Sequence, residues 1–276
     1  MDPSSTILIV GHGIIEKALR EYFRKAGYKD VYSADEIGLN PTIQPSVYKF
    51  FQERRPDYVF LSSVKSGGIQ ANIDHPADFL YANVEAQNNV IYAASKFETK
   101  KLMYFASSCI YPKECPQPMR PEHILTGELE KTSEAYSIAK IAGVKLCQAY
   151  RKQYNLKTIV AVPATIYGPH SDRNLATAHV LGALVDKFEK AVHDGDDQVT
   201  VWGTGQPRRE FLFVDDFVLA VLYLMDRYDG EELMHIGVGE DIAIKDLAGL
   251  IAEIVGFKGK IVFDESRPDG TMQKLL

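Results

Sequence analysis

Tyr136 and Lys140 are the first residues in this chain whose types and spacing suit proton transfer. They stand four residues apart in the segment YSIAK, so a helix would place both on one face. A lysine cation beside a phenol stabilises the phenolate, so we expect Lys140 to lower the pKa of Tyr136 and let it donate a proton near neutral pH. Ser107 can hydrogen-bond the same substrate oxygen. A Tyr-x-x-x-Lys match alone is weak, because many helices contain one.

A candidate phosphate-binding turn lies near the start of the chain. The apolar run 7–10 is followed by Gly11, His12 and Gly13, and a strand ending in Gly-x-Gly is typical of dinucleotide-binding βα units. Such glycines permit a tight turn and a close approach of the backbone to a pyrophosphate. Glu16 stands where the third glycine is expected, which predicts a more open helix and a carboxylate that repels phosphate.

The elements that must position these residues alternate between strand and helix patterns. Alternation of this kind predicts an α/β fold, a Rossmann-type doubly wound parallel sheet, with a smaller α+β substrate-binding region. We place the dinucleotide-binding domain at 1–166 and the substrate region mainly at 167–276. Near 211–240 the chain is expected to return to the first domain. Segment 167–176 is expected to be a loop. Strands are predicted at 7–10, 30–33, 58–61, 102–106, 158–162, 198–202, 210–214, 234–238 and 261–263, and helices at 14–25, 47–54, 78–97, 133–154, 179–191, 217–225 and 244–255.

Composition and charge argue against several classes of protein. The 276 residues are 46% hydrophobic and 25% charged, with a net charge of -6 and no block rich in Lys and Arg. Nucleic acid and membrane are therefore not expected as partners, and no apolar run approaches the roughly 20 residues that span a bilayer. The N-terminus does not have the pattern of a signal peptide, and the three cysteines match no zinc spacing. We expect a cytoplasmic protein without a metal site.

Five runs of the sequence together resemble the GDP-L-fucose synthase family of extended short-chain dehydrogenases/reductases. The most specific is SSCIYPK at 107–113, and the resemblance covers almost the whole chain. It implies an NADPH-dependent enzyme that epimerises a GDP-4-keto-6-deoxy-sugar at C3 and C5 and reduces it at C4. It also implies a homodimer in which helices 78–97 and 133–154 pair, although core packing explains those helices equally well. The other matching runs are KSGGI at 65–69, AYSIAK at 135–140, IYGPH at 166–170 and PDGT at 268–271.

The resemblance also implies roles for single residues. Protons beside a ketone are acidic, so epimerisation needs a base, an acid and donors to the enolate oxygen. The family pattern assigns Cys109 as the base and His179 as the acid. Ser107 and Tyr136 would hold the C4 oxygen, with Tyr136 supplying its proton, and Lys140 would also bind the nicotinamide ribose. The positions that match substrate contacts are Lys187, Trp202, Arg209 and Asp269.

The cofactor turn departs from the family pattern. It is one residue shorter, has no arginine, and Ala34 replaces a second arginine expected to bind the 2′-phosphate of NADP. An acid about 20 residues after the glycines, here Asp35, instead suits the 2′-hydroxyl of NAD. NADP(H) is the expectation from the family and NAD(H) the alternative. The expected cofactor-binding residues are Gly11, His12, Gly13, Ile14, Asp35 and Lys140.

The same departures leave alternatives to the full reaction. Family members continue for some tens of residues beyond the position of Leu276, so we expect a shortened sugar-binding region. The chain could then be a 4-reductase only or an epimerase only. A non-catalytic nucleotide-binding protein on the same fold is a third alternative, because fold does not fix function. Against it stands the complete set of Ser, Cys, Tyr, Lys and His, which a binding module has no reason to keep together.

Overall fold

Strands and helices alternate along most of the chain in the computed structural model, which describes residues 1–174 and 177–276. The strands are β1 (Ile7–Val10), β2 (Val31–Ser33), β3 (Tyr58–Leu61), β4 (Lys101–Phe105), β5 (Thr158–Pro163), β6 (Thr165–Tyr167), β7 (Gln198–Trp202), β8 (Arg208–Arg209), β9 (Phe211–Phe213), β10 (Met234–Ile236), β11 (Ile242–Ala243), β12 (Lys260–Asp264) and β13 (Gln273–Lys274). The α-helices are α1 (Ile14–Lys25), α2 (Gln44–Arg54), α3 (Ile69–Asp74), α4 (Pro76–Lys96), α5 (Glu134–Tyr154), α6 (Val180–Asp194), α7 (Val214–Arg227) and α8 (Ile244–Val255).

The largest sheet has six strands in the order β2-β1-β3-β4-β5-β10. Each neighbouring pair is parallel. Strand β1 is fully buried, as expected for a central parallel strand with a helical layer on each face. The fold is therefore a Rossmann-type doubly wound sheet, which confirms the predicted fold class.

Two apolar layers hold the helices on opposite faces of this sheet. On one face, Phe23 of α1 and Phe217 of α7 pack with the side chains of Ile7 and Ile9. On the other face, helices α2, α4 and α5 pack against Leu8 and the neighbouring strands. Successive residues of a strand point to opposite faces, so the apolar run 7–10 supplies both layers.

The remaining elements form a smaller layer beside the sheet. Helices α6 and α8 pack on β7, which pairs in parallel with β12. Strand β8 pairs antiparallel with β11 and parallel with β13, so the last residues of the chain return to Arg208 and Arg209. None of the helices in the described part of the chain is long and apolar enough to cross a membrane.

The predicted element bounds agree closely where burial and turn signals coincide. The predicted bounds of β1, α1, β3, β7 and α8 are those observed, and the other predicted elements shift by a few residues at their ends. The short elements α3, β6, β8, β11 and β13 were not predicted, because they depend on partners distant in sequence. The predicted loop 167–176 begins at the last residue of β6, and its residues 175–176 lie outside the described part of the chain.

Candidate active site

Most of the candidate catalytic and cofactor residues follow the carboxyl ends of neighbouring strands. Gly11 follows β1, Ser63 follows β3 closely and Ser107 follows β4 closely. In a parallel sheet these ends lie on the same side, where open α/β folds bind ligands. The fold therefore gathers the glycine turn and the serine–cysteine segment at one crevice.

The glycine turn packs against the end of β3. Gly11 has φ 128°, and a Cβ added there would come within 2.8 Å of the Cβ of Ser62. Gly13 has φ 82°, a conformation that L side chains rarely adopt, and Ile14 is the first residue of α1. Both positions therefore need glycine, one for close approach and both for backbone conformation. His12 and Asp35 line a cavity of about 220 Å³ beside Gly11.

The side chain of Glu16 is buried and forms an ion pair with an arginine of the same helix. Its side chain is 1% exposed, and its Oε1 lies 3.2 Å from the Nε of Arg20, one helical turn further along α1. Arg20 also pairs with Glu36, which lies in the turn after β2, and Arg24 pairs with the same carboxylate at 2.6 Å. The expected repulsion of phosphate by Glu16 is therefore offset by Arg20, since the nearest opposite charge lies within the same helix.

Tyr136 forms its hydroxyl contact with a serine that the sequence did not single out. The Oη of Tyr136 lies 2.8 Å from the Oγ of Ser63. The ring lies edge-on to Phe79, with centroids 6.2 Å apart. Burial raises the pKa of Tyr136 well above its ordinary value, while hydrogen bonds from Ser63 and Ser107 act to lower it.

Lys140 lies one helical turn after Tyr136 on α5, and its ammonium bonds to the end of β4. Its side chain is 1% exposed, and its Nζ donates to the carbonyl oxygen of Phe105 at 2.8 Å. The ammonium also lies 4.7 Å from the ring centroid of Tyr104. Burial lowers the pKa of Lys140 to about 7, which weakens it as a fixed cation. Burial is the largest influence on the pKa of both Tyr136 and Lys140, so the lowering of the Tyr136 pKa by Lys140 stays a prediction.

Cys109 lies in a short 3₁₀ turn directly after Ser107. The Oγ of Ser107 caps this turn by accepting a hydrogen bond from the backbone N–H of Cys109 at 3.3 Å. The Nζ of Lys274, on β13, donates to the Sγ of Cys109 at 3.2 Å. Burial acts to raise the pKa of the Cys109 thiol, but the charge of Lys274 and hydrogen bonds from Ser107, Lys274 and Ser133 bring it below its ordinary value. These contacts favour the thiolate, which is the form of a cysteine that accepts a proton.

His179 immediately precedes α6, and the charge of Lys274, the lysine that contacts Cys109, acts on its ring. Its segment is tied to the loop before α3, because the N–H of Gly68 donates to the carbonyl oxygen of Thr177 at 2.9 Å. A Cβ added at Gly68 would lie 2.7 Å from the carbonyl oxygen of Ala178, so the approach requires glycine. Desolvation and the charge of Lys274 lower the pKa of His179, opposed by Asp172. Lys274 thus acts electrostatically on both proposed acid–base groups.

Two of the predicted substrate residues, Lys187 and Trp202, lie side by side on α6 and β7. The Nζ of Lys187 lies 5.4 Å from the ring centroid of Trp202 and donates to the carbonyl oxygen of Thr200 at 2.8 Å. The guanidinium of Arg267 lies 4.8 Å from the same ring. Both cations lie over the ring of Trp202, which remains 44% exposed.

Arg209 and Asp269 lie together nearer to the thiol. Desolvation lowers the pKa of Arg209, opposed by the charges of Cys109, Asp269 and Glu130. The carboxylate of Asp269 accepts from both the N–H and the hydroxyl of Thr204, each at 2.8 Å. An ionised carboxylate has about four acceptor positions, so Asp269 can accept further hydroxyl donors.

Sequence reasoning missed three residues of this site, namely Ser63, Lys274 and Arg267. Ser63 could have been found, since it follows a predicted strand as Ser107 does. Lys274 carries no local signal, because its position depends on the pairing of β13 with β8. Arg267 reaches Trp202 from the segment after β12, a contact that only the folded chain creates.

Comparison with known proteins places this geometry among nucleotide-sugar enzymes. The NAD dependent epimerase/dehydratase family matches residues 7–239. GDP-L-fucose synthase 1 of Arabidopsis thaliana is 44% identical over 276 residues, which covers 100% of this chain and 85% of that protein. A GDP-6-OMe-4-keto-L-xylo-heptose reductase from C. jejuni has a TM-score of 0.92 at 34% identity, covering 100% of this chain and 90% of that one. A GDP-mannoheptose C4 reductase from Campylobacter jejuni, solved with NADP bound, has a TM-score of 0.88 at 34% identity, covering 100% and 90%.

Proposed function

This chain belongs to the NAD dependent epimerase/dehydratase family, and we propose that it is an NADPH-dependent 3,5-epimerase and 4-reductase. Its substrate is GDP-4-keto-6-deoxy-mannose or a closely related GDP-sugar, and its product GDP-L-fucose or the corresponding GDP-sugar. The observation that carries the proposal is the Cys109 thiol beside Lys274, adjacent to the Ser107 and Tyr136 hydroxyls. A thiol base beside two oxygen-binding hydroxyls suits both proton exchange next to a ketone and reduction of that ketone. The name of the Arabidopsis relative supports the same reaction.

In the proposed epimerisation, Cys109 removes a proton from the carbon beside the ketone and His179 returns one from the opposite face. Lys274 favours the ionised form of the thiol through the contact at 3.2 Å. Negative charge then develops on the C4 oxygen, where the hydroxyls of Ser107 and Tyr136 donate hydrogen bonds. The same exchange at the second flanking carbon requires the sugar ring to bind with that carbon next to Cys109 and His179.

The glycine turn and the adjacent cavity fit the adenosine and pyrophosphate end of a dinucleotide. Gly11 brings the backbone close to β3, and the cavity beside it is lined by His12 and Asp35. NADPH bound here supplies the hydride that reduces C4. The candidate basic residues for the 2′-phosphate are His12, Lys17 and Arg20, and Ile14 would lie at the helix start beside the pyrophosphate. The NADP-bound relative supports NADP(H), while Asp35 keeps NAD(H) as the alternative.

The second half of the chain is proposed to hold the GDP part of the substrate. Trp202 offers its exposed ring to the base, and Lys187 and Arg209 offer cations to the pyrophosphate. Asp269 accepts sugar or ribose hydroxyls. This division corresponds to a dinucleotide-binding domain at 1–166, joined by β10, and a nucleotide-sugar region within 167–276.

Two further features support proposals on the assembly and location of the protein. Helices α4 and α5 expose the apolar side chains of Tyr81, Tyr92 and Ile138, which supports a homodimer formed through this face. The three cysteines are free thiols, and a thiolate base must remain reduced, which supports action in the cytoplasm.

Oxidation of NADPH, followed by its absorbance, tests the proposed function. We expect GDP-4-keto-6-deoxy-mannose to trigger NADPH oxidation, and GDP-mannose, which has no ketone, to leave NADPH unchanged. Parallel titrations with NADH give the cofactor preference. Lack of any ketone-dependent oxidation with either nucleotide would overturn the proposal. A 4-reductase without epimerase activity is the second candidate, because two of the similar solved structures are described as reductases.

A further inference from the structure

We propose that Ser63 is a positioning residue for the reduction, in that it holds the Tyr136 phenol and stabilises the charge that forms on it. The Oγ of Ser63 and the Oη of Tyr136 are 2.8 Å apart. This inference rests on the proposed function, because it concerns the proton that Tyr136 gives to the C4 oxygen.

The backbone around Ser63 is fixed from α4. The side-chain oxygen of Asn83 accepts from the N–H of Val64 at 3.0 Å, and its amide donates to the carbonyl oxygen of Lys65 at 2.8 Å. Asn83 is 3% exposed and Ser63 is 8% exposed, so this anchor is shielded from water. The ring of Tyr136 packs edge-on against Phe79, which lies one helical turn before Asn83 on α4. Helix α4 therefore sets the positions of both hydroxyl-bearing residues relative to each other.

The hydroxyl of Tyr136 has serine partners, with Ser63 at 2.8 Å and Ser107 beside it, while Lys140 bonds elsewhere. The Lys140 ammonium donates to the carbonyl oxygen of Phe105, on the strand that leads to Ser107. When the Ser63 hydroxyl donates to the Tyr136 oxygen, the phenol proton stays free to point at the substrate. The arrangement thus orients the proton of Tyr136 as well as its ring.

The same hydrogen bond gains strength during the reaction. As the hydride from NADPH reaches C4, the electron pair of the C=O bond moves to oxygen, and that oxygen takes the proton from Tyr136. The phenol becomes a phenolate, and a hydrogen bond donated to an ionised acceptor is stronger than one to a neutral acceptor. An interaction that strengthens in the transition state raises kcat rather than lowering KM. Removal of one such bond is expected to slow the reduction about tenfold.

Three variants test the role of Ser63. Ser63→Ala removes the hydroxyl, and Ser63→Thr keeps it. Ser95→Ala is the matched control, because Ser95 lies near the end of α4. That end of α4 leads to the start of β4, at the edge of the sheet opposite to the crevice. The readouts are kcat and KM for NADPH oxidation, deuterium exchange at C3 and C5 without NADPH, and the temperature of unfolding.

We expect Ser63→Ala to lose about tenfold in kcat with little change in KM, exchange or unfolding temperature, and Ser63→Thr to recover most of the loss. Ser63→Ala with the kcat of wild type, a parallel loss of exchange and reduction, or no recovery in Ser63→Thr would overturn the inference. If wild type and Ser95→Ala show no ketone-dependent oxidation, the proposed function itself is wrong and the inference falls with it.

Discussion

The ammonium of Lys274 lies 3.2 Å from the sulfur of Cys109, although 165 positions separate the two residues in sequence. Pairing of β13 with β8 carries the lysine to the 3₁₀ turn that holds the thiol. An opposite charge at this distance favours the thiolate, and the thiolate is the form that abstracts a proton. The contact therefore links the end of the chain to the chemistry proposed at the sheet.

Replacement of Lys274 by Met should make Cys109 a weaker acid. Lys274 lowers the pKa of the thiol in the folded protein, so its loss raises that pKa and reduces the thiolate fraction at neutral pH. We expect alkylation of Cys109 by iodoacetamide to slow roughly tenfold at neutral pH and its pH profile to move to higher pH. A Cys115→Ser background removes the other partly exposed thiol, and Lys258→Met, an exposed lysine, is the matched control. An unchanged alkylation profile in Lys274→Met would show that the lysine does not tune the thiol.

Cys109→Ser and Tyr136→Phe should separate the two halves of the reaction. A serine hydroxyl is a far weaker acid than a thiol, so deuterium uptake at C3 and C5 is expected to fall about 10²–10⁴-fold in Cys109→Ser. Tyr136→Phe keeps the Cys109–Lys274 contact, so it should retain more deuterium exchange than Cys109→Ser does. Its rate of reduction should fall about as much as the exchange rate falls in Cys109→Ser. Proton NMR of the sugar measures exchange, and NADPH absorbance measures reduction. Exchange that persists in Cys109→Ser would contradict the assignment of the base.

Trp202 gives a direct optical test of the nucleotide site, since it is the one tryptophan in the sequence. Its ring is 44% exposed beside Lys187, so a guanine that stacks on it should quench its fluorescence. We expect a saturable quench on titration with GDP, and a several-fold weaker affinity in Lys187→Met, because one cation facing the diphosphate is lost. Lys245→Met, on α8, serves as the control lysine. A titration with GDP that leaves the fluorescence unchanged would place the nucleotide elsewhere.

Glu16→Ala should destabilise the fold without a direct effect on chemistry. The substitution leaves the buried Nε of Arg20 without its nearest carboxylate, although Arg20 keeps its pair with Glu36. We expect the free energy of unfolding to fall by about 1–3 kcal/mol, measured by urea denaturation. Glu53→Ala breaks an exposed pair with Lys49 at the same helical spacing and should change stability by less than about 0.5 kcal/mol. An equal effect of both substitutions would mean that the Glu16–Arg20 pair contributes no more than a surface pair.

The main sheet could be predicted from sequence because its signals are local. The run 7–10 is apolar, carries β-branched residues and ends at Gly11, and the helix 14–25 ends shortly before Gly27, so strand, turn and helix each had a marker. Short strands such as β8 and β13 have no such markers, since their two residues form a strand only through pairing.

The sequence predicted which residues belong to the candidate site better than it predicted the contacts between them. Spacing correctly put Tyr136 and Lys140 in one helix, but it did not give the direction of the lysine side chain, which bonds to Phe105 instead. The partners that do meet Tyr136 and Cys109 are Ser63 and Lys274, each brought in from a distant part of the chain. Side-chain direction and long-range pairing are tertiary properties, so neither the bond of Lys140 to Phe105 nor the contact of Lys274 with Cys109 was predicted.

We propose that one crevice carries out both proton exchange at carbon and reduction at C4. The most direct measurement is an incubation of GDP-4-keto-6-deoxy-mannose with the protein and NADPH in D₂O, followed by NMR of the product. We expect a GDP-sugar with deuterium at C3 and C5, inverted configuration at both carbons and a new hydroxyl at C4. A reduced sugar with unchanged configuration and no deuterium at C3 or C5 would contradict it and identify the protein as a 4-reductase.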